Sequence, residues 1–174
     1  MTSSSAGAES LPRTAFAPIS SLRSLVGAHP DALARLFAAG RPADPADLGD
    51  APRGYLLAPA RGGDVFLAFR PLLRALSGGL LPWRGKTFDH GGNSGQNVVL
   101  GKRMLRFQSE VGPSRLDGRP ALILTYDLPV HGNPWPIRAI RDELRSVGQG
   151  VAVGPAIAGA GGAPLLWFGL EARG

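Results

Sequence analysis

Cysteine is absent from the 174-residue chain. That excludes disulfides, thiolate catalysis and cysteine-based zinc sites, and it fits a reducing compartment, so a cytoplasmic location is expected. Histidine is scarce. His29, His90 and His131 show no HxH, HxxxH or HExxH spacing, and neither a metal site nor a cofactor is expected. No apolar run reaches the roughly 20 residues that span a membrane, and no basic segment followed by an apolar stretch marks a secretory signal. Nucleotide fingerprints are missing too. "GGNSGQNVVLG" lacks GK[ST] and a following helix, and "GPAIAGAGGAP" precedes a strand. A GxSxG esterase elbow is also absent. Lysine occurs only at Lys86 and Lys102, so the net charge of +6 is carried almost wholly by arginine. Up to Pro52 there are 4 basic and 5 acidic residues, and from Arg53 onward 15 and 8. The arginines are scattered without interleaved aromatics, which reads as a solvated surface, and no nucleic-acid partner is expected.

Apolar residues make up 44% and charged residues 18%, as in ordinary globular domains. The length suits one globular domain, and 25 glycines with 16 prolines favour many turns. Residues 1–17 read as a disordered leader and 18–52 as a helical preamble. In the preamble "PISSLRSLVG" puts Leu22, Leu25 and Val26 on one face. "HPDALARLFAAG" does the same with Leu33, Leu36 and Phe37, between Pro30 and Gly40. "RPADPADLGDAP" reads as a loop. Residues 53–174 change period. "RGYLLAPA" is a strand, and Pro71 to Leu76 is a short helix. "RMLRFQSEV" alternates, with Leu105, Phe107, Ser109 and Val111 on one face. "GPSRLDGRP" is a turn, while "ALILTYD", "GVAVGPAIAG" and "PLLWFGLEA" are strands. "NPWPIRAIRDELRSVG" carries an Asn133 cap and a stripe of Ile137, Ile140, Leu144 and Val147, which predicts a late amphipathic helix. The expected fold is α+β: a strongly curved antiparallel sheet or small barrel, with N-terminal helices and that late helix.

"PWRGKTFD", "GPSRLDGRPALILTYD", "NPWPIRAIRDELR", "GVAVG" and "WFGL" follow in an order that resembles small bacterial proteins with a GXWXG-type opening, and more distantly the lipocalin-type calycin barrels. The matching parts are Trp83-Arg84-Gly85-Lys86, the segment holding Arg141, Asp142 and Glu143, and the closing aromatic strand, over residues 53–172. Gly79 stands four residues before Trp83 instead of two. The resemblance implies a barrel around an apolar cavity with a small hydrophobic ligand as cargo, and it implies no catalytic residues.

The densest polar stretch is Leu80 to Gly101. Its "HGGNSG" reads either as a glycine turn or as a loop at a cavity mouth with His90 on the ligand; Asp89 and His90 are adjacent and point to opposite faces of a strand. Trp83 either closes the barrel end, with Arg84 or Lys86 stacked on its ring, or lines the cavity. The second polar cluster runs from Tyr126 through Asp127, His131 and Asn133 to Trp135. Arg138, Arg141 and Arg145 share a helical face, either solvated or an anion contact. The leading expectation is a binder of a fatty acid, polyketide or isoprenoid, lined by Tyr55, Trp83, Leu105, Phe107, Leu124, Tyr126 and Phe168, with Arg106 and His90 as polar contacts. The alternative is a cofactor-independent cyclase or isomerase, with His90 or His131 moving a proton, Asp127 orienting it and Tyr126 stabilising charge. An interaction module using the arginines, with nucleic acid as one candidate surface, is the third. Oligomeric state is not legible.

Overall fold

The computed structural model describes residues 19–59, 83–159 and 164–174. The expected leader and the helix at Pro71 to Leu76 lie outside these residues. Eight antiparallel strands close a barrel: β2 (Arg53–Pro59), β3 (Trp83–Phe88), β4 (Ser94–Val99), β5 (Lys102–Pro113), β6 (Pro120–Thr125), β7 (Ile140–Gly148), β8 (Val151–Ala158) and β9 (Pro164–Glu171). Each pairs with its neighbour in sequence, and β9 returns to β2. Full closure removes the unpaired sheet edges. A two-residue strand, β1 (Arg41–Pro42), pairs with β7 at Arg145 and Ser146, just past the stretch paired with β6.

The segment expected to form a late helix is instead strand β7, preceded by a single 3-10 turn at Ile137–Ala139. Two patterns compete in "IRDELRSV", and the barrel decides between them. Ile140, Asp142 and Leu144 point inward, while Arg141, Glu143 and Arg145 lie on the outer face. Both faces of this strand are buried, and both carry charge. With polar groups on each side, the period of two is masked, and the spacing of Ile137, Ile140, Leu144 and Val147 mimics a helix. Asn133 accordingly caps no helix, and its amide donates to the carbonyls of Arg106 and Tyr126.

The preamble covers one flank and one end of the barrel. Helix α1 (Pro30–Ala39) begins at Pro30 and stops at Gly40, as expected, and it buries Leu33, Leu36 and Phe37. These pack with Leu22, on a 3-10 turn at Leu22–Leu25, against Leu57, Ile123, Val153 and Trp167 on the outer barrel face. The expected loop at 41–52 contains a one-turn helix, α2 (Pro45–Leu48). Asp44 caps it by accepting from the Ala46 amide at 2.9 Å, and Gly49 ends it. Leu48 and Ala43 enter the interior core with Phe88, Phe107, Leu122, Leu124 and Leu144. Thus α2 plugs the end that carries the turns at 89–93, 114–119 and 149–150. No helix among the described residues is long and apolar enough to cross a membrane.

Candidate functional site

The interior has two levels. Toward the plugged end it is filled by Phe88, Phe107 and Tyr126 in edge-to-face contact at 5.6 and 5.9 Å, with leucines around them. Toward the other end lies a cavity of about 90 Å³, open on one side. Its walls are mostly apolar, among them Leu56, Val99, Ile140, Ala156, Leu166 and Phe168.

Polar groups gather at one point of that wall. Lys86 is 2% exposed. It donates to Asn97 Oδ1 at 2.9 Å, to Tyr126 Oη at 2.6 Å and to Asp142 Oδ2 at 2.8 Å. Tyr126 donates its hydroxyl proton to Asp142 Oδ2 at 2.6 Å. Asn97 Nδ2 donates to Tyr126 Oη at 3.1 Å and to the Leu105 carbonyl at 3.2 Å, and Trp83 Nε1 donates to Asn97 Oδ1 at 3.0 Å. The rings of Trp83, Phe107, Tyr126 and Phe168 surround the ammonium at 5.2–5.8 Å. Burial pushes the Lys86 amine below its ordinary value, and the adjacent Asp142 carboxylate opposes that shift. The Tyr126 phenol is pushed well above its own, first by burial and then by Asp142.

Two backbone irregularities aim these side chains. Between Trp83 and Gly85 the register of β3 on β4 shifts, with Gly85 at φ 131°. The bulge turns Trp83 and Lys86, three residues apart, toward the same interior. A Cβ at Gly85 would sit 2.3 Å from the Pro52 carbonyl oxygen, so only glycine fits there. The Trp83 ring occupies the space a side chain at Gly54 would fill. The second shift lies between Gln96 and Asn97, where Leu105 bulges from β5 at φ 55°. For a leucine that conformation is strained. It presents the Leu105 carbonyl to Asn97 and the Leu105 side chain to the cavity. Strain of this kind concentrates at functional sites.

Of the expected lining residues, Trp83, Leu105, Tyr126 and Phe168 line the cavity. Phe107 and Leu124 belong to the packed interior next to it. Tyr55 is on the outer face, against the preamble, with its hydroxyl buried and unpartnered among the described residues. Arg106 is exposed. His90 is exposed in the 89–93 turn, where Gly92 abuts Pro45 of the plug; this is the end opposite the cavity. His90 to Asn93 of the "HGGNSG" stretch therefore form a turn away from this cavity, and Ser94 and Gly95 open β4. Asp127 is exposed, and His131 lies in the β6–β7 connection with Nδ1 buried and unpartnered among the described residues. The two histidines sit at opposite ends. Sequence reasoning missed Lys86 as an interior charge, and it missed Asn97 and Asp142. The available signal was one of only two lysines in an arginine-rich chain, on a short strand between Trp83 and Phe88.

No family model matches the chain, and no curated protein matches it. A solved structure, "Crystal structure of protein from Thermomonospora curvata", is similar in fold: TM-score 0.57, 17% identity, covering 88% of this chain and 93% of that one. At that identity the likeness concerns the fold alone.

Proposed function

We propose that the barrel binds a small, largely apolar molecule, or the end of a longer one of fatty acid, polyketide or isoprenoid type, in the cavity beside Lys86. The observation that carries this reading is the combination of an open apolar cavity with one buried polar cluster on its wall. Buried ion pairs add little to stability compared with apolar residues of the same volume. A pocket with apolar walls and a few convergent polar groups is the usual form of a ligand site. The up-and-down order of eight strands is also the order of lipocalin-type carriers, which supports a lipocalin-like reading of the barrel. Because the cavity volume of about 90 Å³ is below the 300 Å³ or more typical of whole-ligand pockets, the buried part of the ligand is a ring or a short branched end.

Native mass spectrometry of the full chain tests the reading. Wild type is expected to retain a small molecule, and Ala156→Phe, which fills the cavity, to lose it. A bare wild-type mass that no apolar probe shifts would overturn the proposal.

A second reading, a cofactor-independent isomerase or cyclase, is favoured by the convergence of Lys86, Tyr126 and Asp142 within hydrogen-bond reach of one another. In that case Asp142 takes a proton, and Lys86 and Tyr126 turn the bonds they now give Asp142 toward the negative charge that develops. His90 and Asp127 drop from the catalytic set because both are exposed. Tyr126→Phe would then abolish turnover while leaving ligand retention intact.

A further inference from the structure

We propose that the end of the ligand that enters the cavity carries a hydrogen-bond donor, a neutral hydroxyl or N–H, received by Asp142 Oδ1. This rests on the binding reading above and adds the chemistry of the ligand. It follows from accounting for every proton in the cluster. Lys86 spends its three protons on Asn97, Tyr126 and Asp142. Asn97 spends both amide protons on Leu105 and Tyr126. Tyr126 gives its proton to Asp142, and Trp83 gives its indole proton to Asn97. No donor is left over. Moving a proton from Lys86 along its bond to Asp142 Oδ2 would reverse that bond and would still free none.

The acceptors are not exhausted. Both bonds that Asp142 receives fall on Oδ2, and Oδ1 has no hydrogen-bond partner among the described residues. Asp142 lines the cavity. A carbonyl or ether ligand would therefore have to break an existing bond to be recognised, leaving a buried group unpaired. A hydroxyl can add a charge-assisted bond without disturbing any. A cationic amine is disfavoured, because Lys86 already neutralises Asp142 and a second positive charge would meet it in a low-dielectric site.

The test uses two molecules of nearly equal shape, cyclopentanol and cyclopentanone, titrated into the full chain while the indole N–H resonance of Trp83 is followed. The alcohol is expected to bind at least about tenfold tighter, the scale of one hydrogen bond to a charged group. Equal affinities, or a preference for the ketone, would overturn the donor assignment and leave cavity binding standing. Binding of neither would overturn both. Asp142→Asn, where it folds, is expected to level the two affinities; an undiminished alcohol preference in that variant would also overturn the assignment.

Discussion

Strand β7 feeds two buried polar clusters, one on each face of the barrel wall, and they differ in what they leave unused. Inward, Asp142 joins Lys86, Tyr126 and Asn97 at the cavity. Outward, Glu143 and Arg145, both 0% exposed, grip the 114–119 turn. Arg145 holds Asp117 through two bonds of 2.7 Å and donates to the carbonyls of Pro120, Arg119 and Phe37, with its guanidinium 4.3 Å over the Phe37 ring. Glu143 accepts from Ser114, from the Arg115 amide and from Arg141. Half of the outer cluster's bonds go to backbone, and they tie a turn and a helix end to the wall. Its inner counterpart is side chain on side chain, apart from the Asn97 bond to the Leu105 carbonyl, and stands beside an open space. The outer one reads as a fastening, then, and the inner one as the proposed site.

That contrast predicts how each responds to apolar replacement. Arg145→Ala strands the carbonyls it served and should cost roughly 3–5 kcal/mol of stability, read by chemical denaturation. Pairing Arg145→Met with Asp117→Leu should recover little, because the carbonyls of Phe37, Arg119 and Pro120 remain unpartnered. On the inner side, Asp142→Ala alone should be as costly, since it leaves Lys86 buried without its counter-charge. The triple change Lys86→Met, Tyr126→Phe and Asp142→Leu should restore stability to near wild type or above it, as apolar replacement of whole buried networks often does. Should the triple variant stay as unstable as Asp142→Ala, the inner cluster would be a fastening too.

How far the sequence anticipates this arrangement depends on which face of which strand one asks about. Strands β2, β5, β6, β8 and β9 are legible because alternation or a plain apolar run marks them, and α1 because Pro30, Gly40 and its apolar stripe agree. β7 is not, because the tertiary structure buries charge on both of its sides. Trp83, Leu105, Tyr126 and Phe168 are found because inward apolar or aromatic positions on strands are natural cavity walls. Lys86, Asn97 and Asp142 escape because their meeting depends on two bulges, and a one-residue shift of register reverses which face a side chain takes. Gly85 could mark the first bulge. Nothing in the sequence marks Leu105, the residue whose strain makes the second.

The two clusters should also separate along the pH axis. The guanidinium of Arg145 holds the Asp117 carboxyl below its ordinary 3.8. A depressed acid stabilises the fold above its unfolded value and loses that contribution as pH falls through the folded one, so the outer cluster should weaken below about pH 4. The inner cluster should respond at the alkaline end. Lys86 is depressed from 10.5, so stability from this group should rise with pH until about 10.5, because up to there the unfolded chain holds a proton the folded one releases more readily. Tyr126 is raised above 10.0, so past that point the unfolded chain gives up a proton the folded one keeps, and stability should fall. Denaturation midpoints measured across pH should show Asp117→Asn flattening only the acid limb and Tyr126→Phe only the alkaline one. A variant that alters the opposite limb would mean the clusters are coupled through β7.

The smallest expected effect compares two leucines with nearly the same strained backbone. Leu100 has φ 54° in the β4–β5 turn and is 52% exposed; Leu105 has φ 55° at the bulge and lines the cavity. Left-handed backbone costs a non-glycine residue roughly 1–2 kcal/mol, and glycine returns about 0.5–1 of that through the unfolded chain. Leu100→Gly should therefore change stability by less than about 1 kcal/mol, and in the stabilising direction. Leu105→Gly relieves the same strain but gives up apolar contact around the cavity, worth about 1.5–3 kcal/mol for a fully buried leucine and less for this half-buried one. It should be neutral or mildly destabilising, while weakening retention of any cavity ligand. If both substitutions stabilised equally, the Leu105 side chain would contribute nothing to the wall, and its strain would serve the Asn97 hydrogen bond alone.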